Sequence, residues 1–215
     1  ETIMDHPLRK DLHKSLRKRV VSFLEDGFSI ARQSNIIFVC GGNASNSMRR
    51  RFQAEFPILL KGYEFFEPEF AMKSYFTLGD HIPFDIAEFE ELVGQLSLSI
   101  VLFPEAAGSL AETGYFSARP ELAKKILLAI DSQRQRKDSF ISLGPAKKIH
   151  DASLFQPNIQ FDYGNPDFSM ISNRIIERAP LHRTRRHFHV GSFADTSTFE
   201  LFALIQQLVS LLVVA

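Results

Sequence analysis

Cysteine is almost absent from this chain, since Cys40 is the only one among 215 residues. A single cysteine excludes a disulfide within the chain and a metal site built from several thiolates. No basic and apolar leader opens the sequence, and its longest apolar segment, at 208–215, is far too short to cross a bilayer. We therefore expect a cytoplasmic protein with no membrane partner.

Charge of one sign is not in excess either, because 25 Lys and Arg balance 25 Asp and Glu. The composition as a whole therefore predicts no polyanion as a partner. Basic residues are nevertheless crowded between residues 9 and 19 and again between 174 and 186. Solvated helix faces or loops are the simpler explanation of both stretches, and contact with a nucleic acid is the alternative.

The glycine signatures of common nucleotide-binding enzymes are missing as well. The sequence contains no G-x-G-x-x-G, and no Gly-Lys-Ser or Gly-Lys-Thr that a P-loop would need. These absences exclude ordinary dehydrogenases and NTPases.

Histidines give a weak signal for catalysis or metal binding. His81 and Asp85 bracket a turn that could supply an acid or base, although a lone loop histidine is more often incidental. His187 and His189 are close together, but no carboxylate or third histidine stands at ligand spacing, so we predict no metal site.

What the sequence does contain is an alternation of apolar runs with amphipathic helical patterns. This order predicts an α/β fold, a flavodoxin-like or Rossmann-like three-layer domain around a central parallel sheet. The apolar runs predict strands at 36–40, 63–66, 98–103, 125–130 and 139–143.

The patterns also divide the chain into three parts. Leucine or valine at every fourth position, followed by a glycine, predicts an N-terminal amphipathic helix within 1–30. The catalytic domain is predicted at 31–155. A mostly helical appendage at 156–215 follows, and we expect it to be the incomplete start of a C-terminal region because its apolar pattern stops midway.

The strand predicted at 36–40 is followed at once by Gly41, Gly42 and Asn43. Glycine after a strand lets backbone N–H groups approach a ligand, and a following helix N-terminus adds positive potential for a phosphate. A plain tight turn is the alternative. The pattern makes these three residues candidates for holding phosphate or ribose.

A second strand end, after 98–103, carries Glu105, then Gly108 and Ser109, and then a helix with Glu112. Open α/β sheets place their ligands at the carboxyl ends of their strands. We therefore expect the two strand ends to be neighbours in one sheet, with the glycine loop and Glu112 lining a common cleft. Such a cleft suits a phosphorylated sugar or a nucleotide.

Glu112 is the residue to which we assign the chemistry. A carboxylate there could meet an anomeric carbon, either as a nucleophile or as a stabiliser of an oxocarbenium-like centre. Because Glu112 stands three residues after Ser109, the pair also fits a capping box that merely begins a helix. Glu105 could be a partner acid, a ligand of sugar hydroxyls, or a solvated turn residue. Gly108 and Ser109 would complete the substrate-binding loop.

Several segments carry a family resemblance. They are Phe38-Val-Cys-Gly-Gly42, Pro68-Glu69, Val101-Leu-Phe-Pro-Glu-Ala-Ala-Gly-Ser-Leu-Ala-Glu-Thr-Gly-Tyr-Phe-Ser117 and Phe140-Ile-Ser-Leu-Gly-Pro145. In this order and spacing they resemble the nucleoside deoxyribosyltransferase-like effector proteins of bacterial retrons, over residues 20–150. The block Pro-Glu-x-x-Gly-Ser-x-x-Glu-x-Gly is the specific part of the match.

The resemblance implies a flavodoxin-like sheet and chemistry on an N-glycosidic bond. In the deoxyribosyltransferases the nucleophilic Glu stands in a Glu-x-Gly context at the start of a helix, which Glu112 and Gly114 match. Thr113 departs from the leucine usual in the family, a change that we expect to affect packing. The resemblance also implies a C-terminal DNA-binding region and two partners, the retron reverse transcriptase and its RNA–DNA product.

The resulting hypothesis is a toxin-like antiphage effector that hydrolyses the nicotinamide–ribose bond of NAD, with NAD as substrate and no cofactor. We also expect an oligomer. One alternative is a deoxyribosyltransferase or hydrolase that acts on free nucleosides or nucleotides. A second is a non-catalytic scaffold that senses a nucleotide within a complex of the reverse transcriptase and nucleic acid.

Overall fold

The computed structural model describes residues 9–31, 35–68, 85–179, 185–196 and 198–213. The chain forms two compact units. The larger unit is Gln33–Arg183, and the smaller unit combines the two ends of the chain, Glu1–Arg32 and Thr184–Ala215.

Seven strands occur in the described residues. They are β1 (Phe28–Ala31), β2 (Ile36–Cys40), β3 (Glu64–Phe66), β4 (Ser99–Leu102), β5 (Ile126–Asp131), β6 (Ile159–Phe161) and β7 (Arg185–Phe188). Strands β2 to β6 form a five-stranded parallel sheet in the order β3-β2-β4-β5-β6. This is the flavodoxin-like order, which confirms the predicted α/β class.

Helices connect and cover the strands. They are α1 (Lys14–Asp26), α2 (Met48–Leu59), α3 (Ile86–Leu96), α4 (Ala107–Ser117), α5 (Pro120–Ala123), α6 (Phe140–Leu143), α7 (Pro145–Ala152), α8 (Ser169–Arg178) and α9 (Thr198–Val213). Short 3₁₀ turns lie at Asp11–His13 and Phe193–Asp195. Among the described helices, none combines the length and apolar character needed to cross a membrane.

The parallel sheet has an apolar core on each face, because side chains alternate between the two faces of a strand. On one face Val39 and Phe103 pack with Phe52 of α2. On the other face Cys40 packs with Phe116 of α4. Helices on both faces make the three layers that the sequence predicts.

The strand predicted at 139–143 is wrong, because these residues form the short helix α6. The Ser139 hydroxyl accepts the N–H of Ser142 at 3.2 Å and so begins a helical turn. Phe140 is 81% exposed, which shows that this apolar run is not a buried strand.

Residues after 155 add to the sheet unit rather than forming only a helical extension. Strand β6 lies at the edge of the sheet beside β5, with Ala129 paired to Ile159. Helix α8 contributes Ile171 and Ile175 to the same core as α2. The predicted domain boundary at 155 therefore does not coincide with the division into compact units.

The smaller unit contains an antiparallel pair of strands, β1 with β7. Phe28 lies opposite Phe188, and their rings stack with centroids 5.8 Å apart. Gly27 ends α1 with a φ of 74°, which is the left-handed region where glycine carries no steric penalty. The predicted N-terminal helix therefore forms, with the stop that its sequence indicates.

Candidate active site

The two strand ends singled out by the sequence are neighbours. Cys40, at the end of β2, pairs with Leu102, at the end of β4. The N–H of Phe103 then donates to the carbonyl of Cys40 at 3.0 Å. Strands β2 and β4 flank the switch point of a flavodoxin-like sheet, where ligands bind. The predicted neighbourhood of these ends is confirmed.

Glu105 occupies the donors of the glycine loop. Its carboxylate accepts the N–H of Gly42 at 2.8 Å and the N–H of Met48 at 2.9 Å. A longer contact of 3.4 Å comes from the N–H of Arg49. The N–H groups of Met48 and Arg49 lie at the N-terminus of α2, where a negative charge is favoured. The chain's own carboxylate thus binds two of the N–H groups at which the sequence predicts phosphate or ribose.

The loop around Gly41 is closely packed. A Cβ atom at Gly41 would come within 2.8 Å of the Arg49 Cβ and 3.0 Å of a Glu105 oxygen. Arg49 is only 2% exposed, and its Nε donates to the carbonyl of Gly42 at 3.3 Å. The Arg49 guanidinium also donates to the side chain of Asn43. Gly41 therefore permits the close approach that holds this loop in place.

Ser109 holds the start of α4, but not in the way that the capping-box alternative requires. Helix α4 begins at Ala107, which puts Glu112 in the second helical turn. The Ser109 hydroxyl accepts the N–H of Glu105 at 3.1 Å and the N–H of Ala106 at 3.0 Å. The capping-box interpretation of Glu112 is therefore wrong. Gly108 lies exposed in the first turn, with open space around its Cα.

Glu112 lies beside Cys40 at the carboxyl edge of β2. Burial raises the pKa of the Cys40 thiol well above its ordinary value, and the negative charges of Glu112 and Glu90 raise it further. A hydrogen bond between the thiol and the Glu112 side chain acts in the same direction. Glu112 is half-buried, and its Oε2 atom is fully buried. At least one carboxylate oxygen of Glu112 therefore lies in the protein interior, and the side chain contacts Cys40 at the end of β2.

Glu90 is a candidate site residue that the sequence reasoning missed. It lies on α3, is 8% exposed, and carries a charge close to Cys40. It stands three residues before Val93 and four before Gly94, both buried, which places a carboxylate on the inward face of an amphipathic helix. A charge in an apolar stripe is the signal that could have revealed it.

The two predicted catalytic carboxylates lie on opposite faces of the sheet. Glu105 binds the start of α2, whose Met48 belongs to the core with Val39 and Phe103. Glu112 contacts Cys40, which belongs to the core on the other face. Glu105 and Glu112 therefore have different partners, the start of α2 for Glu105 and Cys40 for Glu112.

A cleft of about 770 Å³ opens on the α2 face of the carboxyl edge. Gly42, Asn43 and Glu105 line it, but Glu112, Gly108 and Ser109 do not. The remaining lining comes from the loop before α2, from α2 itself and from the ends of β4, β5 and β6. These residues are Ala44, Asn46, Ser47, Met48, Arg51, Ala106, Asp131, Gln133, Arg134, Asp162, Tyr163 and Gly164.

The other candidate residues have separate roles. Asp85 caps α3, because its carboxylate accepts the N–H of Glu88 at 2.8 Å. His81 lies outside the described residues. His187 and His189 contact each other through their rings, with centroids 4.8 Å apart. The described part of the chain contains no group of three His, Cys, Asp or Glu placed to hold a metal ion.

Comparison with known proteins shows similarity to proteins of bacterial retrons. The profile of the STM3845 retron effector protein family matches residues 45–214, which is most of the chain. A protein of Escherichia coli retron Ec86 is 31% identical over 115 residues, which are 53% of this chain and 36% of that protein. A protein of Escherichia coli retron Ec73 is 28% identical over 117 residues, 53% of this chain and 37% of its own.

Both relatives are provisionally named as ribosyltransferase/DNA-binding proteins. The chain spans little more than a third of the length of either relative. The family match begins after the glycine loop and covers Glu105, Glu112 and the described residues that follow the sheet unit. The chain belongs to the STM3845 retron effector family.

Proposed function

We propose that this retron effector is an N-glycosidase that hydrolyses the nicotinamide–ribose bond of NAD in antiphage defence. The observation that carries the proposal is the position of Glu112, held beside Cys40 at the switch point of the sheet. The provisional names of the two relatives, as ribosyltransferases, support chemistry at a ribosyl carbon.

The proposed reaction places the Glu112 carboxylate against the anomeric carbon of the nicotinamide ribose. As the bond to the nicotinamide nitrogen breaks, positive charge develops on the sugar, and the carboxylate stabilises or traps it. Nicotinamide leaves as a neutral molecule because it is cationic in NAD, so the step needs no strong general acid. Water then attacks the same carbon and releases ADP-ribose and a proton.

Glu105 enters this proposal as a positioning residue. Its carboxylate accepts the N–H groups of Gly42 and Met48, and it lies on the face of the sheet opposite to Glu112. Glu105 thereby fixes the loop that follows β2. Since β2 also carries Cys40, this anchoring keeps the strand end and Glu112 in register.

The proposed partners are the retron reverse transcriptase and its RNA–DNA product, contacted through the basic stretch at 174–186. Arg174 is held in place by the carbonyl of Phe155 at 2.9 Å and that of Pro157 at 3.1 Å. Arg178 at the end of α8 is half-buried. Arg183 lies outside the described residues. Only the backbone of Arg185 and Arg186 is described, as part of β7.

Salt dependence tests this partner proposal. Contacts with phosphates weaken steeply as salt increases. Complex formation should therefore fall with salt, and it should fall again when Arg178 is replaced by Gln. Binding to the complex that is insensitive to both changes would contradict the proposal.

The enzymatic proposal is tested by the base that the protein releases. The protein is incubated with NAD, with deoxynucleosides and with nucleoside monophosphates, and free bases are separated by chromatography. Release of nicotinamide from NAD supports the proposal. Release of a base from deoxynucleosides alone favours a deoxyribosyltransferase or hydrolase. Binding of a nucleotide without turnover favours the scaffold alternative.

A further inference from the structure

We infer that the cleft on the α2 face binds the ADP part of the dinucleotide, with Arg51 and Arg134 on its pyrophosphate. This inference rests on the proposed function and adds a second subsite to it. Nicotinamide ribose would lie at Glu112, and the rest of the molecule would reach over the carboxyl edge of the sheet into the cleft.

The two subsites are close in the chain. Glu112 contacts Cys40, and the cleft begins at Gly42. Only Gly41 lies between Cys40 and Gly42 in the chain, so their Cα atoms are two steps of 3.8 Å, at most about 7.6 Å, apart. A dinucleotide is longer than this, so one molecule can occupy both sides of the edge.

The size of the cleft fits such a ligand. Its volume of about 770 Å³ lies within the range of roughly 300–1,000 Å³ for small-molecule sites. Its walls come from the carboxyl ends of β2, β4, β5 and β6, the edge at which open α/β sheets bind ligands.

Two guanidinium groups make the cleft suitable for a pyrophosphate. Arg51 donates from Nη1 to the carbonyl of Tyr163 at 2.9 Å, which fixes it in the wall. Arg134, on the loop after β5, has a side chain that is 90% exposed, and its Nε is 3.8 Å from the Asp131 carboxylate. A guanidinium donates to two phosphate oxygens at once, which gives orientation as well as attraction.

The occupation of the glycine loop by Glu105 supports these assignments. The N–H groups of Gly42 and Met48, which would ordinarily attract a phosphate, already bind a carboxylate. A phosphate in this cleft must therefore find its donors elsewhere. Arg51 and Arg134 are the two cationic residues of the lining.

The mixed chemistry of the walls favours a nucleotide over a nucleic acid strand. Besides the two arginines, the cleft contains Asp131, Asp162 and Gln133, which suit the hydroxyls of a ribose. A groove for a nucleic acid backbone is instead dominated by positive charge. The lining thus matches a ligand that carries both phosphate and sugar hydroxyls.

The test is calorimetric titration of the whole protein with ADP. The variants Arg51→Gln and Arg134→Gln should each bind ADP about tenfold or more weakly, as expected for the loss of a charge-assisted hydrogen bond. Arg136→Gln is the matched control, because Arg136 lies on the same loop but pairs with Asp138 at 2.8 Å and does not line the cleft. Glu112→Gln should bind ADP normally.

Turnover provides the second readout. The KM for NAD should rise in Arg51→Gln and Arg134→Gln, whereas cleavage of nicotinamide riboside, which lacks phosphate, should not change. The inference is overturned if the unaltered protein does not bind ADP, or if the two arginine variants bind it as tightly as the control. If ADP binding depends on these arginines but no nicotinamide is released, the subsite stands and the proposed reaction fails.

Discussion

The carboxylate of Glu105 accepts the N–H of Gly42 at 2.8 Å. This contact joins the ends of two adjacent parallel strands, since Gly42 follows β2 and Glu105 follows β4. A residue that the sequence offers as a catalytic acid therefore holds together the edge of the sheet on which the candidate site is built.

Replacement of Glu105 by Gln should destabilise the protein. The amide loses the negative charge at the N-terminus of α2 and one of the two oxygens that accept N–H groups. We expect the free energy of unfolding to fall by about 1–3 kcal/mol, measured by urea denaturation. Glu55→Gln, an exposed position on the same helix, should have little effect. Equal stability of the two variants would contradict this role of Glu105.

Replacement of Glu112 by Gln should abolish cleavage of the glycosidic bond and leave the fold intact. The amide preserves size but removes the charge that would face the oxocarbenium-like centre. We expect turnover to fall on the order of a thousandfold or more, measured as nicotinamide release. The melting temperature should stay close to that of the unaltered protein, because Glu112 does not cap α4. A variant that still cleaves NAD at the original rate would remove the catalytic assignment.

Two glycines offer a matched comparison of packing. Gly41→Ala should destabilise the protein by about 1–3 kcal/mol, as overpacking typically does, because the new Cβ would meet Arg49 and Glu105. Gly108→Ala should be neutral or stabilising by up to about 1 kcal/mol, since it lies in a helix with open space around it. Thermal and urea unfolding of both variants check the difference. Similar losses in the two variants would argue against a tightly packed glycine loop.

The Cys40 thiol should make stability decline in mildly alkaline solution. Burial raises the pKa of this thiol most, and the charges of Glu112 and Glu90 raise it further. In alkaline solution the folded protein therefore keeps a thiol proton that the unfolded chain releases. The contribution is fully present below the ordinary thiol pKa of about 8.5 and is lost as the pH rises above it. Urea unfolding at several pH values, kept below the ordinary tyrosine pKa of about 10, measures the slope.

The variant Cys40→Ala is the control for this pH dependence. It lacks the titrating group, so its stability should decline less over the same range of pH. An identical slope in the two proteins would show that Cys40 does not carry the effect.

Burial explains which elements could be predicted from the sequence. Strands β2, β4 and β5 are runs of mostly apolar residues that are buried on both faces of the sheet, and such runs can be recognised without a structure. The apolar residues at 139–143 look similar, but they are exposed on a short helix that Ser139 begins. Sequence alone does not say whether an apolar run finds a surface to pack against.

The candidate site was predictable in part for a related reason. The meeting of the Cys40 and Phe103 strand ends follows from the order of parallel strands. Which face each carboxylate occupies does not follow, because it depends on where α4 begins. Helix α4 starts at Ala107 and its Glu112 contacts Cys40, whereas Glu105, which precedes the helix, binds the start of α2.

The pairing of β1 with β7 places two strands that are far apart in the sequence in one small sheet. Ala31 lies opposite Arg185, so the whole of Gln33–Arg183 is inserted between two strands of one small sheet. Closing a flexible loop of this length costs about 4 kcal/mol of chain entropy. Prior folding of the inserted unit would restrict that loop and lower the cost. Strand β7 follows the inserted unit in the sequence. During synthesis, β1 can therefore pair with β7 only after the ribosome has completed that unit.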